Sequence, residues 1–423
     1  MRHLYTALVH LLRPIAFAAV LWRGLRNRRY WTGLGERFGW SSTAPHAASI
    51  WVHAVSLGEV SAAAPLLRAL HARYPQIPTV LTTATPTGRE RALALFGATV
   101  QVRFAPYDTP GAMRRFIARI RPRLLIVMET ELWPNLFAEC RRRGIPMVLA
   151  SARLSLRSVI WYRRCGRLFR DLFSQGTWVA AQSATDAERF IAVGAHRERT
   201  RVLGNVKFDV TVDAAAVEAG RAQRATSWAS RPTWIAGSTH AGEEEAALTA
   251  QRELEADMPG ALLLLVPRHP ERFDAVAELL GRRGLRFERR SSARTLRPDT
   301  QVLLVDTVGE LAALYASADV AFVGGSLVPV GGHNLLEPAA LGLPIITGPF
   351  QANGKEAAQL LVQQGGVLVV ADASGLAGAL KRLFADPAQR QAMGAAARQA
   401  VEANRGSVAR LVELVDPIIS AER

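Results

Sequence analysis

Short apolar runs alternate along this chain with longer segments in which apolar residues recur at helical spacing. Residues 50–55, 79–83, 100–104, 124–128, 147–151 and 178–182 form one series of runs, each bounded by turn residues. Continuous apolar runs of this length, separated by helical segments, predict parallel strands covered by helices on both faces. A second series follows at 234–236, 262–266, 301–305, 320–323, 344–347 and 367–370. Between the two, residues 209–231 are polar and rich in Ala and Arg, with no strand pattern, and read as a linker. The expectation is an α/β protein of two Rossmann-like doubly wound domains, 31–208 and 232–403, facing a cleft. Residues 404–423 would form a closing helix able to pack back on the first domain. Ligands in such folds lie beyond the carboxyl ends of the strands.

The first 30 residues stand apart. Residues 4–22 are mostly apolar, interrupted by His10 and Arg13-Pro14, and Arg23, Arg26, Arg28 and Arg29 follow at once. That is short for a spanning helix, but the basic flank suits a cytoplasmic or interfacial edge. Ala16-Phe17-Ala18 resembles a signal cleavage site, yet Arg13-Pro14 before it and Val20-Leu21-Trp22 after it favour an uncleaved membrane anchor.

Composition narrows the field. At 423 residues and 49% hydrophobic content, two sizeable cores are expected rather than disorder. A formal charge of +16 suits anionic partners. Almost all of it is arginine, with Lys207, Lys355 and Lys381 the three lysines, so a general compositional bias accounts for much of the charge. No aromatic residues interleave with a basic strand or helix, which argues against nucleic acid as a partner. Cys140 and Cys165 are too few for a disulfide framework or a cysteine zinc site.

The candidate chemistry clusters just after predicted strands. The stretch from Gly324 to Pro349 is the most specific: a strand ending at Val323, two glycine pairs, then His333-Asn334-Leu335-Leu336-Glu337 at a helix start. Strand, Gly-rich loop and helix in that order place backbone N–H groups where an anion could sit. In the first half, Ser56-Leu57-Gly58-Glu59 follows a strand, so Glu59 is either a favourable first-turn charge or a general base beside a glycine that admits substrate. Glu129 and Glu131 end another strand and could orient the next helix, stabilise positive charge or hold a metal weakly. Thr82 to Gly88 could cap a helix or bind an acceptor anion, and capping is the favoured reading. Lys207, near the junction, is either a solvated lysine or a point charge for a leaving phosphate. In the second half, 236–240 offers hydroxyls and amides, and Pro267-Arg268-His269 ends a strand with a guanidinium. Thr307-Val308-Gly309-Glu310 fits a capping box, which gives Glu310 a structural explanation, while ligand contact could coexist through the backbone at Val308 and Gly309.

Taken together, VSLGEVSAAAPLLRAL (55–70), TPTGRERA (85–92), METELWPNL (128–136), ARLSLRS (152–158), GNVKFD (204–209), STHAGEEE (238–245), LVPRHPERF (265–273), DTVGEL (306–311) and FVGGSLVPVGGHNLLEPAA (322–340) resemble the Kdo transferases, the 3-deoxy-D-manno-octulosonic acid transferases of lipopolysaccharide biosynthesis. The resemblance spans nearly the whole chain. It implies a GT-B glycosyltransferase on the cytoplasmic side of the inner membrane, moving Kdo from CMP-Kdo to the 6′-hydroxyl of a lipid A precursor with inversion. Glu59 matches the family's general base, and Glu129 and Lys207 match positions that stabilise the transition state. Pro267, Arg268, Val308, Gly309, Glu310, Asn334, Leu335, Leu336 and Glu337 match the CMP-binding segments. A monophosphate leaving group can be met by amides, Lys207 and Arg268, so these residues call for no metal, and no cofactor is expected. Two departures stand out: Gln351-Ala352-Asn353-Gly354 replaces an aromatic run, and Pro338 stands where relatives carry alanine. The competing expectations are another GT-B nucleotide-sugar enzyme of the envelope, such as a lipid A disaccharide synthase, and a non-catalytic polyanion-binding protein.

Overall fold

Strand pairing organises the chain into two units, 1–209 with 405–423, and 210–404, in a computed structural model that describes residues 2–40, 48–173, 176–292 and 296–421. In the first unit the strands are Ser49–His53 (β1), Thr79–Thr83 (β2), Gln101–Phe104 (β3), Pro122–Met128 (β4), Met147–Ala152 (β5), Thr177–Ala181 (β6) and Thr200–Val202 (β7). They form one sheet in the order β3-β2-β1-β4-β5-β6-β7, with every neighbour parallel. The second unit holds Thr233–Thr239 (β8), Leu262–Pro267 (β9), Phe287–Arg289 (β10), Val302–Leu304 (β11), Val320–Val323 (β12), Ile345–Thr347 (β13) and Val367–Val369 (β14). Their order is β10-β11-β9-β8-β12-β13-β14, again all parallel.

The apolar runs follow from burial on both faces. Trp51, Leu125 and Val127 point into one core layer of the first unit, while Ile50, Val52, Leu124 and Ile126 point into the other. Trp234 and Phe322 on one side, and Ile235 and Ala321 on the other, do the same in the second. The fully buried indole of Trp51 donates to Thr82 Oγ1 at 2.8 Å, so its polar edge is not orphaned.

Several features lie outside the sequence expectation. β7 and β10 are edge strands of three residues, partly exposed and carrying Arg201 and Arg289, so they lack an apolar run. β8 runs on to Thr239 rather than stopping at 236. The segment expected as a linker contains a helix, Ala214–Ser227, capped by Asp213 and belonging to the second unit. A Cβ on Gly220 would lie 2.0 Å from the Ala313 carbonyl. This helix packs by close backbone approach, with Ala and Gly in place of large apolar residues, and so has no hydrophobic stripe to read.

Two helices complete the first unit. Ser407–Ser420 inserts Leu411, Leu414, Val415 and Ile419 into the layer lined by Ile50 and Leu66. Its start is fixed by Asp209, whose carboxylate accepts the N–H groups of Gly406 at 2.6 Å and Val408 at 2.5 Å. At the other terminus Arg2–Arg26 is one unbroken helix through Pro14, with an 18-residue window of mean hydropathy 1.7 in which nothing is buried. It is long and apolar enough to cross a membrane. Tyr5 donates to Asp108 and Thr6 to Asn135, each at 2.9 Å, so its first turns lie against the first unit.

Replacing Leu411 with alanine should cost about 2–4 kcal/mol through lost burial and a residual cavity. Urea denaturation followed by tryptophan fluorescence should show an earlier first transition; an unchanged midpoint would mean that the closing helix contributes nothing to this core.

Candidate functional site

Each sheet has a point where the strand order turns outward from its first strand, and several of the candidate residues stand there. In the first unit the reversal falls between β1 and β4. The chain leaving β1 enters the helix Leu57–Arg73 at its N-cap, Ser56. Ser56 Oγ accepts the Glu59 N–H at 3.3 Å and donates to Glu59 Oε1 at 2.9 Å, while Val55 N–H donates to Oε2 at 2.9 Å. Glu59 is therefore tied to the helix cap, its carboxylate accepting the Ser56 hydroxyl and the N–H of Val55 just before the N-cap. Its side chain is buried, and burial lifts its pKa to about 7, opposed by the Val55 and Ser56 hydrogen bonds and assisted by the charges of Glu131 and Glu129. The structural and chemical readings of Glu59 are compatible: the cap fixes the carboxylate, and desolvation makes it basic. A Cβ on Gly58 would meet only Ser56 Oγ, at 3.8 Å, so nothing in the protein fills that side.

β4 delivers Glu129 in a left-handed conformation, φ +54°, unusual for a residue other than glycine. Its Oε1 accepts from Lys207 Nζ at 2.7 Å, and Arg153 Nε lies 3.3 Å from Oε2. Lys207 rides on the short turn Val206–Phe208, which Asn205 caps by accepting the Lys207 N–H. Ser151, also left-handed at φ +52°, accepts the Val206 N–H at 3.0 Å and ties that turn to the end of β5. Glu129 and Lys207 thus meet as an ion pair, and Ser151 is a positioning residue that the sequence reading missed. His53 was missed too. It is fully buried and held neutral by desolvation at a pKa of about 3, with Nδ1 on Thr82 Oγ1 and its ring edge against Trp133.

In the second unit the reversal falls between β8 and β12. The sequence expectation of vacant amides after Gly324 needs correction. Glu243, wholly buried, accepts the N–H groups of Gly325 at 2.7 Å, Ser326 at 2.8 Å, Leu327 at 2.9 Å and His240 at 3.0 Å. The protein's own carboxylate fills this nest. Among three consecutive glutamates, no sequence signal distinguished it. The second glycine pair is held from outside: Asn353 Nδ2 donates to the carbonyls of Val330 and Gly332, and Gln351 packs beside Gly332. The divergent 351–354 loop is a brace for the Gly-rich turn.

The remaining candidates fall into separate groups. Pro267 ends β9, and the Arg268 N–H bonds the Thr239 carbonyl, leaving an exposed guanidinium with no ion pair among the described residues. Asn334 Oδ1 accepts the Leu336 N–H and its Nδ2 donates to Glu337 Oε1, so these two are joined, while Leu335 and Leu336 are buried. Val308 and Gly309 form an exposed turn. The capping box expected at Thr307–Glu310 does not form: the helix starts at Leu311, Glu310 takes the N-cap position, and its carboxylate pairs with Arg290 at 2.9 Å. The 236–240 stretch is mostly strand rather than an open turn, and a Cβ on Gly237 would strike the Tyr315 hydroxyl at 2.5 Å. Thr85 caps its helix through the Gly88 N–H, as expected. No group of three or more His, Cys, Asp or Glu side chains placed to hold a metal ion occurs among the described residues.

Two solved structures share this architecture across most of the chain. A UDP-GlcNAc 2-epimerase from Neisseria meningitidis covers 87% of the chain and 100% of its own at 14% identity and TM-score 0.52. MurG from Acinetobacter baumannii covers 88% and 100% at 13% identity and TM-score 0.53. These are likenesses of fold alone. Residues 241–400 match the family described as glycosyl transferases group 1, which with two doubly wound units makes this a glycosyltransferase of the GT-B type. Residues 32–210 match the family described as 3-deoxy-D-manno-octulosonic-acid transferase (kdotransferase). A 3-deoxy-D-manno-octulosonic acid transferase from Haemophilus influenzae is 41% identical over 421 residues, 99% of each chain. One from Bordetella pertussis is 40% identical over 434 residues, 98% of this chain and 99% of its own. The chain belongs to the Kdo transferase family.

Glu243→Gln would turn an amide NH2 toward backbone donors and should destabilise the second unit by roughly 2–4 kcal/mol. Limited proteolysis should show faster cleavage in the 324–332 loop. Wild-type resistance in the variant would mean that the carboxylate does not hold the loop.

Proposed function

We propose that this enzyme transfers Kdo from CMP-Kdo to the 6′-hydroxyl of a lipid A precursor, with inversion at the anomeric carbon. The observation that carries the reading is Glu59, a buried carboxylate with a pKa near 7 at the first sheet's reversal point. A base of that strength is half deprotonated at neutral pH and is matched to removing a proton from an alcohol as it attacks. In the reaction, Glu59 takes the hydroxyl proton, the acceptor oxygen bonds the anomeric carbon, and the bond from that carbon to the CMP phosphate breaks. Lys207, held by Glu129, keeps an ammonium close to the reacting groups to offset charge in the transition state. The donor side falls to the second unit. Arg268 meets an anion, the exposed Val308-Gly309 turn and Pro267 offer surface and backbone to the nucleotide, and Glu337, oriented by Asn334, suits ribose hydroxyls. Glu310, tied to Arg290, shapes the turn.

Attachment to the cytoplasmic face of the inner membrane fits the N-terminal helix. Leu4, Leu8, Leu11, Leu12, Ile15, Trp22 and Leu25 are exposed on it, and the first 35 residues carry six arginines and no acid. Arg13 lies over the Phe38 ring, and Tyr5 and Thr6 are bonded to the first unit. A helix held along its domain, with arginine at its middle, suits an in-plane anchor on anionic lipid better than a spanning one.

The test is incubation with freshly prepared CMP-Kdo and tetraacyl lipid A precursor, followed by mass spectrometry of the lipid. Kdo mass additions are expected. An unchanged lipid, or transfer from a UDP-sugar instead, would overturn the assignment. Glu59→Gln should lose transfer by a factor on the order of 10³ or more while CMP still binds. In wild type saturated with donor, kcat/KM for the lipid acceptor should rise with pH through about 7, because the base acts deprotonated; a flat profile would remove Glu59 from that role. For the membrane, Leu8, Leu11 and Ile15 changed together to Glu should release the protein from anionic vesicles in flotation, and persistent binding would exclude the helix as anchor.

A further inference from the structure

Three histidines gather at the reversal point of the second sheet. His240 Nε2 and His333 Nε2 are 2.8 Å apart with ring planes only 8° from parallel, and His269 stands edge-on to His240 at 5.3 Å between centroids. Two imidazole nitrogens at that distance share one hydrogen: one ring carries it on Nε2, the other accepts. The donating ring then has a bare Nδ1. One further proton can add there without breaking the shared bond, whereas hydrogens on both Nε2 atoms would force the rings apart. The pair has room for one extra proton and no more.

The loop is built to present this pair. Glu243 fixes His240 through its backbone N–H and fixes Gly325 by the same carboxylate oxygen. A Cβ on Gly325 would lie 2.8 Å from the His333 ring, and the His333 N–H bonds the Gly324 carbonyl at 3.2 Å. Both rings are only partly buried. The charged groups facing His240 are Glu243, Arg268, Arg272 and His269; those facing His333 are Arg268, His269 and His240 itself. Arg272 is paired with Glu244, and the Glu243 charge, which favours a proton on His240, is met by four N–H groups; Arg268, with no ion pair among the described residues, and His269 oppose a further proton on both rings. Burial holds both rings below the usual histidine range, assisted at each by Arg268 and His269 and opposed at His240 by Glu243, with His333 at about 4.

We propose that the His240–His333 pair receives an acidic group of the sugar-nucleotide donor and takes up a proton from solvent as it does so. A donor anion supplies the negative charge that the empty site lacks, and the pair stores the proton on the open Nδ1. The inference rests on the donor reading above and adds to it a proton-coupled receptor. The acid is either the phosphate or the sugar carboxylate.

Isothermal titration of the full chain in detergent at pH 7, in HEPES and in Tris, measures proton uptake from the difference in heats. With uptake, affinity must fall as pH rises, by up to about tenfold per pH unit. Uptake with CMP alone assigns the phosphate; uptake only with freshly prepared CMP-Kdo assigns the carboxylate; either supports the proposal. His240→Gln and His333→Gln keep a neutral amide near the Nε2 position and should bind the ligand that shows uptake in wild type more weakly, with the uptake abolished. Binding by wild type without uptake, or full uptake in both variants, overturns the pair's role and leaves the donor reading intact. Failure of wild type to bind either ligand overturns the donor reading and the pair with it.

Discussion

Parallel pairing is the constraint from which the rest of this molecule follows. Every strand pair in both sheets is parallel, so the central strands are covered on both faces and can carry almost nothing but apolar side chains. Polar chemistry is thereby expelled to the strand ends. At the point where strand order reverses, adjacent connections leave in opposite directions and open a space between them. Glu59 and Glu129 in one sheet, and His240 and the Gly324–Gly325 turn in the other, stand at those points for this topological reason.

The two ends solve the problem of charge in opposite ways. In the first unit an acid is made basic: desolvation outweighs the hydrogen bonds from Val55 and Ser56, and two neighbouring carboxylates push further the same way. Lys207 is drawn toward Glu129, so Glu59 is left without a cation to weaken it. Geometry is held at some cost. Glu129, Ser151 and Ser238 all adopt left-handed backbone at strand ends, each a strain of roughly 1–3 kcal/mol that only the buried sheets behind them can sustain.

The fold was legible wherever burial demanded large apolar residues, and illegible where it did not. Twelve strand runs were visible because both faces are covered, while Thr200–Val202 and Phe287–Arg289 were hidden by their position at the sheet edge. The Ala214–Ser227 helix packs through Gly220, so its contact is backbone against backbone and leaves no hydrophobic period. In the site, Glu59 and Lys207 stood out by position and rarity. Ser151 and Glu243 did not, because their function is to receive backbone N–H groups from segments far away in sequence. A capping motif was misplaced at Glu310 because Arg290, twenty residues earlier, competes for the carboxylate.

Glu243 also changes what a glycine-rich turn means here. A nest of N–H groups is ordinarily an anion site, but this one is already occupied, and an internal carboxylate beside a donor phosphate would repel it. The four N–H groups absorb that charge, Arg268 has no ion pair among the described residues, and His240, whose own N–H is one of the four, carries the imidazole pair. The recognition of an acidic donor is therefore moved one layer outward, from backbone to side chain. Backbone amides carry a fixed partial charge, whereas an imidazole pair can change its charge when the ligand arrives. A site of the second kind adds a positive charge to that of Arg268 only when an acid is there to meet it, so the charge on the two rings is not carried while the site is unliganded.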